Sequence, residues 1–189
     1  MENKNKTKTD SSSLKEVKKT DDLAEHYWHT IEYFLGLIKS SELKAGLILS
    51  FYGLILNFVY QNAERTMDQL SGHTLIYILI SLWFASTLLS IYFSVLSFIP
   101  RIESKYDSNV FFFGDIITKY GSIKEFSKTF YALSDDRDKL FDQLGQQIYI
   151  NAKIAARKFK NVNMSLRFLA SGLVFLLLII SNYLLIVLL

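Results

Sequence analysis

The side chains best suited to chemistry are two histidines and a short acidic run. His26 and His29 stand three residues apart, a spacing that brings both imidazoles to one face of a helix. A zinc-type site there would need a third ligand at motif spacing, and the sequence offers none. The run "SDDRD" at residues 134–138 could hold a cation, but aspartates in the first turn of a helix are stabilised by the helix dipole alone. The sequence therefore predicts no metal centre.

Catalytic signatures are missing from the sequence as a whole. It has no Gly-rich phosphate loop and no histidine pair at ligand spacing, and it contains no cysteine, which excludes disulfides, thiolate metal sites and cysteine nucleophiles. The net charge of +3 comes mostly from basic residues beside apolar blocks, which suits contact with anionic lipid better than nucleic acid. We expect a non-enzymatic protein without a cofactor, whose surroundings are membrane lipid.

Three long apolar blocks dominate the sequence. Residues 45–60, 74–98 and 168–189 contain no charged side chain. A helix needs roughly 20 residues to cross about 30 Å of hydrocarbon, so the second and third blocks are long enough, whereas the sixteen residues of the first are short and can instead form a buried or re-entrant helix. The predicted spans are residues 44–61, 74–99 and 167–189.

The distribution of basic residues predicts an orientation and favours a spanning first block. Residues 1–44 contain eight Lys and Arg, residues 61–73 contain one, and residues 100–167 contain twelve. Basic residues concentrate on the cytoplasmic side of a membrane, so three crossings place the N-terminus in the cytoplasm and Leu189 in the periplasm. The first twenty residues lack the apolar core of a cleavable signal peptide. We expect a multi-pass protein of a cell inner membrane.

Helical signals also mark the segments outside the blocks. From Asp22 an amphipathic pattern leads into the first block, with Glu25 placed to close a capping box. Ser122 and Glu125 form a second capping box, and a longer helix then continues toward the third block. The fold class is all-α, a membrane protein with three transmembrane helices and a cytoplasmic helical bundle. The predicted parts are a disordered cytoplasmic tail at residues 1–21 and a transmembrane domain at residues 22–189, whose cytoplasmic helical region is residues 100–166.

The segment after the second block changes abruptly from apolar to polar. Pro100 is the one proline of the chain, and because proline disfavours helix at the preceding residue it predicts the end of the second span. The following "NVFFFGDI", residues 109–116, contains three phenylalanines. They would either anchor the chain at the membrane surface or pack at the end of a helix, and the sequence leaves both open.

Small and polar side chains recur at helical spacing in the first two blocks. They allow helices to approach closely in lipid. Their ordinary role is packing within or between chains. The alternative is that serines from several copies line a polar path. Three spans cannot enclose a sizeable pore, so we expect a homo-oligomer. No Asp, Glu, Lys or Arg lies inside a block, which argues against ion-coupled transport. The candidate packing or pore-lining residues are Gly46, Ser50, Gly53, Asn57, Ser86, Ser90 and Ser94.

Several segments in this order resemble the transmembrane Pycsar effector family, which is similar in layout to the SLATT-type membrane effectors. These are "ELKAG" at residues 42–46, the proline after the second block, "FFFGDI" at residues 111–116, and "LGQQIYINAKIAARKFKNVNMSLRF" at residues 144–168. The resemblance covers roughly residues 27–189. Where the family more usually has Asp or Asn ahead of "KA", this chain has Glu42 and Leu43.

The resemblance implies a function in antiviral defence. Proteins of this family are encoded beside a pyrimidine cyclase, which would be the functional partner. Phage infection would raise cyclic CMP or cyclic UMP, and the effector would respond by damaging the inner membrane, so that the infected cell dies by abortive infection before releasing phage. A non-enzymatic membrane scaffold or accessory subunit that recruits cytoplasmic partners is the alternative from another class, and a channel or transporter is the third.

A cyclic nucleotide would need cationic and amide donors together with a surface for its base. One helix of the predicted cytoplasmic region offers such groups, although a solvated helix face would carry the same residue types. The candidate ligand-binding residues are Gln146, Gln147, Asn151, Lys153, Arg157 and Lys158.

Overall fold

The structure, a computed structural model, describes the backbone of residues 3–70, 74–99 and 108–188, and within these the side chains of residues 18–62, 74–99 and 108–185. Every regular element in this part of the chain is a helix, which confirms the all-α prediction. The helices are α1 (Asn3–Leu70), α2 (Thr74–Phe98), α3 (Phe113–Thr118), α4 (Ile123–Asp135) and α5 (Arg137–Leu188).

Three of these helices, α1, α2 and α5, are long and apolar enough to cross a membrane. This confirms the predicted number of spans. Both α1 and α5 are much longer than a bilayer requires, because the amphipathic segments before the first and third apolar blocks continue into the blocks without a break. Helix α2 ends at Phe98, where the sequence predicts the span to stop, and Pro100 itself lies outside the described residues.

The chain forms two compact units, to each of which α1 and α5 contribute. Unit 1 contains Met1–Leu37 and Arg101–Ile154, and unit 2 contains Ile38–Pro100 and Ala155–Leu189. Helix α1 begins at Asn3, inside the segment that composition predicts to be a disordered tail, and the separation of that tail from the rest stays a prediction. The expected capping box at Asp22 and Glu25 is wrong, because the helix continues through both residues and leaves no free amides there to cap.

Aromatic side chains hold unit 1 together. Trp28 of α1 meets Phe111 edge-on with ring centroids 5.5 Å apart, and Tyr27 lies 5.2 Å from Phe141 of α5. Within the "NVFFFGDI" segment, Phe112 is only 4% exposed, whereas Phe113 is 65% exposed. The consecutive residues Phe111 and Phe112 therefore pack inside unit 1, whereas Phe113 remains exposed, and a role of the segment at the membrane surface stays a prediction.

Asn109 fixes this segment to α5. Its side-chain amide donates to the Gln143 backbone oxygen at 2.8 Å, its side-chain oxygen accepts from the Phe111 amide at 2.8 Å, and its backbone amide donates to the Asp115 carboxylate at 2.9 Å. The side-chain oxygen of Gln143 accepts a further hydrogen bond from the Val110 amide at 3.1 Å. Asn109 is completely buried, so these bonds replace the water that its polar atoms would otherwise bind.

Removing the Asn109 side chain should loosen the segment from α5. Asn109→Ala leaves the half-buried Phe111 amide without its acceptor and removes the bond to the Gln143 carbonyl, which should cost about 2–4 kcal/mol in the stability of unit 1. Hydrogen exchange of the amides between residues 109 and 116 should accelerate, and exposed Asn163 provides the control Asn163→Ala. Equal exchange in the two variants would show that the network does not hold the segment.

The helix start predicted at Ser122 is confirmed. The Ser122 hydroxyl accepts from the Glu125 amide at 3.4 Å, and the Glu125 carboxylate accepts from the Ser122 amide at 2.7 Å. This second bond lowers the pKa of Glu125 below its ordinary value of 4.5.

At the start of α5, Asp136 accepts from the Lys139 amide and pairs with the Lys139 ammonium at 2.7 Å. The bond from the Lys139 side chain lowers the pKa of Asp136, and the same bond raises that of Lys139.

The start of α4 should loosen in acid. Because the folded-state pKa of Glu125 is depressed, its stabilising contribution is complete above pH 4.5 and is lost as the pH falls through the lower folded value. Hydrogen exchange at Ser122 and Phe126, corrected for the intrinsic pH dependence, should show this loss. Glu125→Gln keeps a capping side chain without a titrating group and should remove the pH dependence. A pH dependence that survives in this variant would contradict the assignment.

Small residues bring the helices of unit 2 close together. On α1 the buried stripe consists of Ser41, Ala45, Ile48 and Tyr52, and on α2 a line of hydroxyl residues faces inward, with Trp83 and Ile76 toward the helix start. Phe93 of α2 stacks on Phe168 of α5 with ring centroids 5.7 Å apart. The exposed surfaces of the same helices are mostly Leu, Ile, Val and Phe, which is the pattern expected for a bundle surrounded by lipid.

Candidate functional site

A hydroxyl cluster joins α2 to α5 at the centre of unit 2. Ser165 of α5 donates to the Ser90 backbone oxygen at 2.9 Å and lies 3.0 Å from the Ser90 hydroxyl and 2.7 Å from the Ser94 hydroxyl. Each of the three serines has no accessible surface. The predicted serine stripe of α2 is thus engaged inside a single chain, where it contributes to helix packing.

The contact continues along α2 and α5 beyond this cluster. Ser171 donates to the Ser86 hydroxyl at 3.4 Å, and a Cβ atom placed on Gly172 would lie 3.7 Å from that of Ser86. Side chains this small allow the two backbones to approach to a distance that leucines would prevent. Small side chains therefore allow α2 and α5 to pack closely along this interface.

Unit 2 also contains a partly buried ion pair near the end of α2. The Lys158 ammonium lies 2.8 Å from the Glu42 carboxylate and also donates to the Ser97 backbone oxygen in the last turn of α2. The Lys158 side chain is 9% exposed and that of Glu42 is 37% exposed. A lysine at this position satisfies a carbonyl that the helix leaves without an internal partner, and its charge complements the negative end of the helix dipole. One side chain thereby ties together three helices.

Some hydroxyls buried beside these groups lack hydrogen bonds within the described part of the chain. The Thr87 and Ser97 hydroxyls have no partner there, and the Tyr52 hydroxyl lies close to Thr87 and Ser90 without reaching hydrogen-bond geometry. Buried polar groups are normally paired. These three positions give the interior of unit 2 a polar character that is unusual for apolar helices.

The candidate residues of α1 lie on its outer surface. Gly46 is half-buried beside Phe98, whereas Ser50, Gly53 and Asn57 are exposed. The Asn57 side-chain oxygen accepts from Gln61 at 3.4 Å. The structure thus separates the small and polar residues that the sequence groups together, since those of α2 face inward and these face outward.

The candidate ligand-binding residues do not assemble into one cluster within either unit. Gln147 and Asn151 belong to unit 1 and are buried, with the Gln147 amide donating to the Asn151 side-chain oxygen at 3.2 Å. The Gln147 oxygen and the Asn151 nitrogen have no further partner among the described residues. Gln146 donates to Asp142 at 2.9 Å and is half-buried.

The basic members of that set differ in their surroundings. Lys153 in unit 1 is half-buried and Arg157 in unit 2 is exposed. Lys158 holds the ion pair described above, which ties its charge to Glu42. An anionic ligand at Lys158 would therefore have to displace a carboxylate.

Two of the side chains considered for metal chemistry, His29 and Asp136, make local contacts. His29 lies between Glu25 at 3.4 Å and Glu32 at 3.7 Å on an exposed face of α1, and Asp136 caps α5. Among residues 18–62, 74–99 and 108–185, no group of three His, Asp or Glu side chains is placed to hold a metal ion.

Sequence reasoning missed the partners that complete these arrangements. Ser165 was not singled out, and Glu42 was named only in the family resemblance and not as an ion-pair partner, because their partners lie 75 and 116 residues away in the chain. The Asn109 network was missed in the same way, since the bond to Gln143 crosses 34 residues. Local signals existed only as serines and asparagines in otherwise apolar or aromatic segments.

Helices that are apolar outside and hydroxyl-rich inside define the class of this chain as an α-helical multi-pass membrane protein. The PycTM family model, described as the Pycsar effector protein domain, matches residues 26–185, so the chain belongs to the Pycsar effector family and is an effector in anti-phage defence. It is also similar to the Pycsar effector protein PtPycTM of Propioniciclava tarda, with 26% identity over 157 residues, covering 78% of this chain and 73% of that protein. No solved structure matches the chain.

Proposed function

We propose that the chain is a non-enzymatic effector that responds to cyclic CMP or cyclic UMP and impairs the inner membrane, so that an infected cell dies by abortive infection. The observation that carries the proposal is the family match, which extends over the apolar blocks of all three candidate spans. An effector made chiefly of membrane helices has the bilayer as its nearest target. Its functional partner in this proposal is a pyrimidine cyclase that produces the nucleotide.

The proposed orientation places the N-terminus and residues 100–166 in the cytoplasm and the C-terminus in the periplasm. The twelve basic residues between positions 100 and 167, against one between positions 61 and 73, support this orientation. A nucleotide made inside the cell would then meet the part of the chain that contains the amide and basic side chains. The spans of several copies would act together, because one chain encloses no sizeable aqueous pore.

The buried amide pair of Gln147 and Asn151 in unit 1 supports a binding site for the nucleotide base. Gln147 and Asn151 bond to each other and leave one oxygen and one nitrogen without a partner among the described groups. If both amides were turned over, one donor and one acceptor would still remain, so this property does not depend on how each amide is oriented. A pyrimidine edge also presents a donor beside an acceptor. In the proposed complex these amides bind the base.

Membrane potential measured with a voltage-sensitive dye tests the proposal. Cells producing the full chain should depolarise when supplied with cyclic CMP or cyclic UMP and should keep their potential with cyclic AMP. Asn151→Ala should weaken the response, while Asn163→Ala, at an exposed position of the same helix, should not. An unchanged potential with both pyrimidine nucleotides, in cells shown to contain the inserted chain, would contradict the effector proposal and favour a membrane scaffold.

A further inference from the structure

A groove of about 470 Å³ lies between α1 and the end of α2 in unit 2. Its lining is apolar over most of its length, with Leu43 and Leu47 from α1 and Phe98 from α2. Gly46 also lines it, and a Cβ atom placed on this glycine would lie 3.6 Å from the Phe98 ring. Two helices therefore form a concave apolar surface, which we call the α1–α2 groove.

The charged lining residues of the α1–α2 groove stand together at one end. Lys39 and Glu42 are one helical turn apart on α1, before the uncharged block that begins at Ala45. The Glu42 carboxylate already pairs with the Lys158 ammonium at 2.8 Å. Lys39 is exposed and makes no ion pair with a residue that the structure describes. This end of the groove therefore has a net positive charge, and Lys39 is the cation that an anion can reach.

The length of the groove matches the boundary between headgroups and hydrocarbon in a bilayer. From Lys39 to Ser50, which lines the opposite end, α1 rises about 16 Å. About 9 Å of this rise comes before Ala45 and the rest lies inside the uncharged block. A headgroup layer is about 5–8 Å thick on each side of about 30 Å of hydrocarbon. The charged end therefore lies at the depth of lipid headgroups, and the apolar part reaches the acyl chains.

We propose that the α1–α2 groove binds one anionic phospholipid. An acyl chain lies along Leu47 and Phe98, and the phosphate accepts hydrogen bonds from the Lys39 ammonium. Glu42 does not oppose this binding, because Lys158 compensates its charge. A zwitterionic lipid would place its own cation beside Lys39, so the groove selects a lipid with a net negative charge. The site requires only that unit 2 is inserted, and it goes beyond the proposed response to a nucleotide.

Photo-crosslinking with lipid analogues tests the site. The full chain is placed in phosphatidylcholine nanodiscs that contain either a phosphatidylglycerol or a phosphatidylcholine analogue with a photoreactive acyl chain, and the labelled residues are identified by mass spectrometry. Leu47 and Phe98 should be labelled about fivefold more by the phosphatidylglycerol analogue. Leu54, an exposed leucine of α1 outside the groove, should be labelled equally by both.

Lys39→Gln removes the cation and leaves the apolar lining unchanged. Labelling of Leu47 and Phe98 by the phosphatidylglycerol analogue should fall about fivefold, which is the factor that one basic side chain contributes at a membrane surface. Lys160→Gln is the matched control, because it removes one exposed lysine of unit 2 outside the groove, and it should leave the labelling unchanged. Lys39→Arg should retain the selectivity.

A second pair of variants tests the apolar part. Ser50→Leu places a larger side chain at the acyl end and should lower labelling of Leu47 by the phosphatidylglycerol analogue. Gly53→Leu should not, because Gly53 lies outside the groove and no described atom is within 4 Å of a Cβ placed on it. Unfolding midpoints in nanodiscs equal to that of the unchanged chain should show that both variants fold.

Three results would overturn the site. Equal labelling of Leu47 and Phe98 by the two analogues would mean that the groove meets bulk lipid only. A loss of labelling in Lys160→Gln as large as that in Lys39→Gln would mean that Lys39 does not hold the phosphate. Crosslinks from the groove to a second copy, in place of lipid, would assign this face to association between chains.

Discussion

Lys158→Met is expected to destabilise unit 2 strongly. The substitution leaves the Glu42 carboxylate without its cation and the Ser97 carbonyl without its donor. Breaking a buried ion pair by removing one partner costs about 3–5 kcal/mol, and the partial exposure of Glu42 places this case near 3 kcal/mol. The thermal unfolding midpoint of the chain in lipid nanodiscs should fall by roughly 6–12 °C.

Two further variants separate the ion pair from a general effect of losing charge. Lys160→Met changes an exposed lysine of the same helix and should leave the midpoint unchanged. Adding Glu42→Leu to Lys158→Met removes the uncompensated charge and should recover much of the loss. If Lys158→Met proves as mild as Lys160→Met, the ion pair does not hold the three helices together.

Ser165→Leu is expected to separate α5 from α2. Ser165 has no accessible surface and lies against Ser90 and Ser94, so a leucine would both overfill the contact and remove its hydrogen bonds. Overpacking costs about 1–3 kcal/mol and the lost interhelical bonds about 1–2 kcal/mol more. Ser165→Ala, which keeps the close approach, should lose only the second part. Protease resistance of unit 2 and the unfolding midpoint in nanodiscs measure both variants.

The matched control for this prediction is Ser81→Leu. Ser81 is an exposed serine of α2 whose hydroxyl bonds its own helix at Tyr77, so a leucine there meets lipid and should be tolerated. Ser90→Leu should behave like Ser165→Leu, because the two serines share one contact. Topology reporters should show normal insertion in all three variants, since the apolar blocks remain. Equal stability of Ser165→Leu and Ser81→Leu would mean that the serine contact is not a determinant of the fold.

These expectations assign the serine stripe of α2 to the stability of each chain. The serine stripe was the reason to expect contact between copies, yet in the structure it contacts α5 of its own chain. Among the candidate packing residues, those that remain exposed, Ser50, Gly53 and Asn57, belong to α1. Variants of the serine cluster should therefore impair the fold of each chain.

Several features of the fold could be predicted from the sequence because they depend on neighbouring residues. The length and apolarity of a block decide whether a helix can cross a membrane, and three such helices are present. The capping box of Ser122 and Glu125 spans three residues and was predictable for the same reason. Asp22 and Glu25 have the same pattern, but a helix that extends on both sides leaves no end to cap.

For the candidate site, the sequence determined which side chains are available, and the tertiary structure decided which of them meet. Ser90, Ser94 and Gly53 look alike in an apolar block, but the serines are buried against α5 and the glycine is open. From the sequence, Lys158 is one of several cations on a helix. The structure shows that it contacts Glu42, which lies 116 residues away in the chain. Helix periodicity defines faces, whereas the choice of partner for each face depends on long-range packing that no local pattern records.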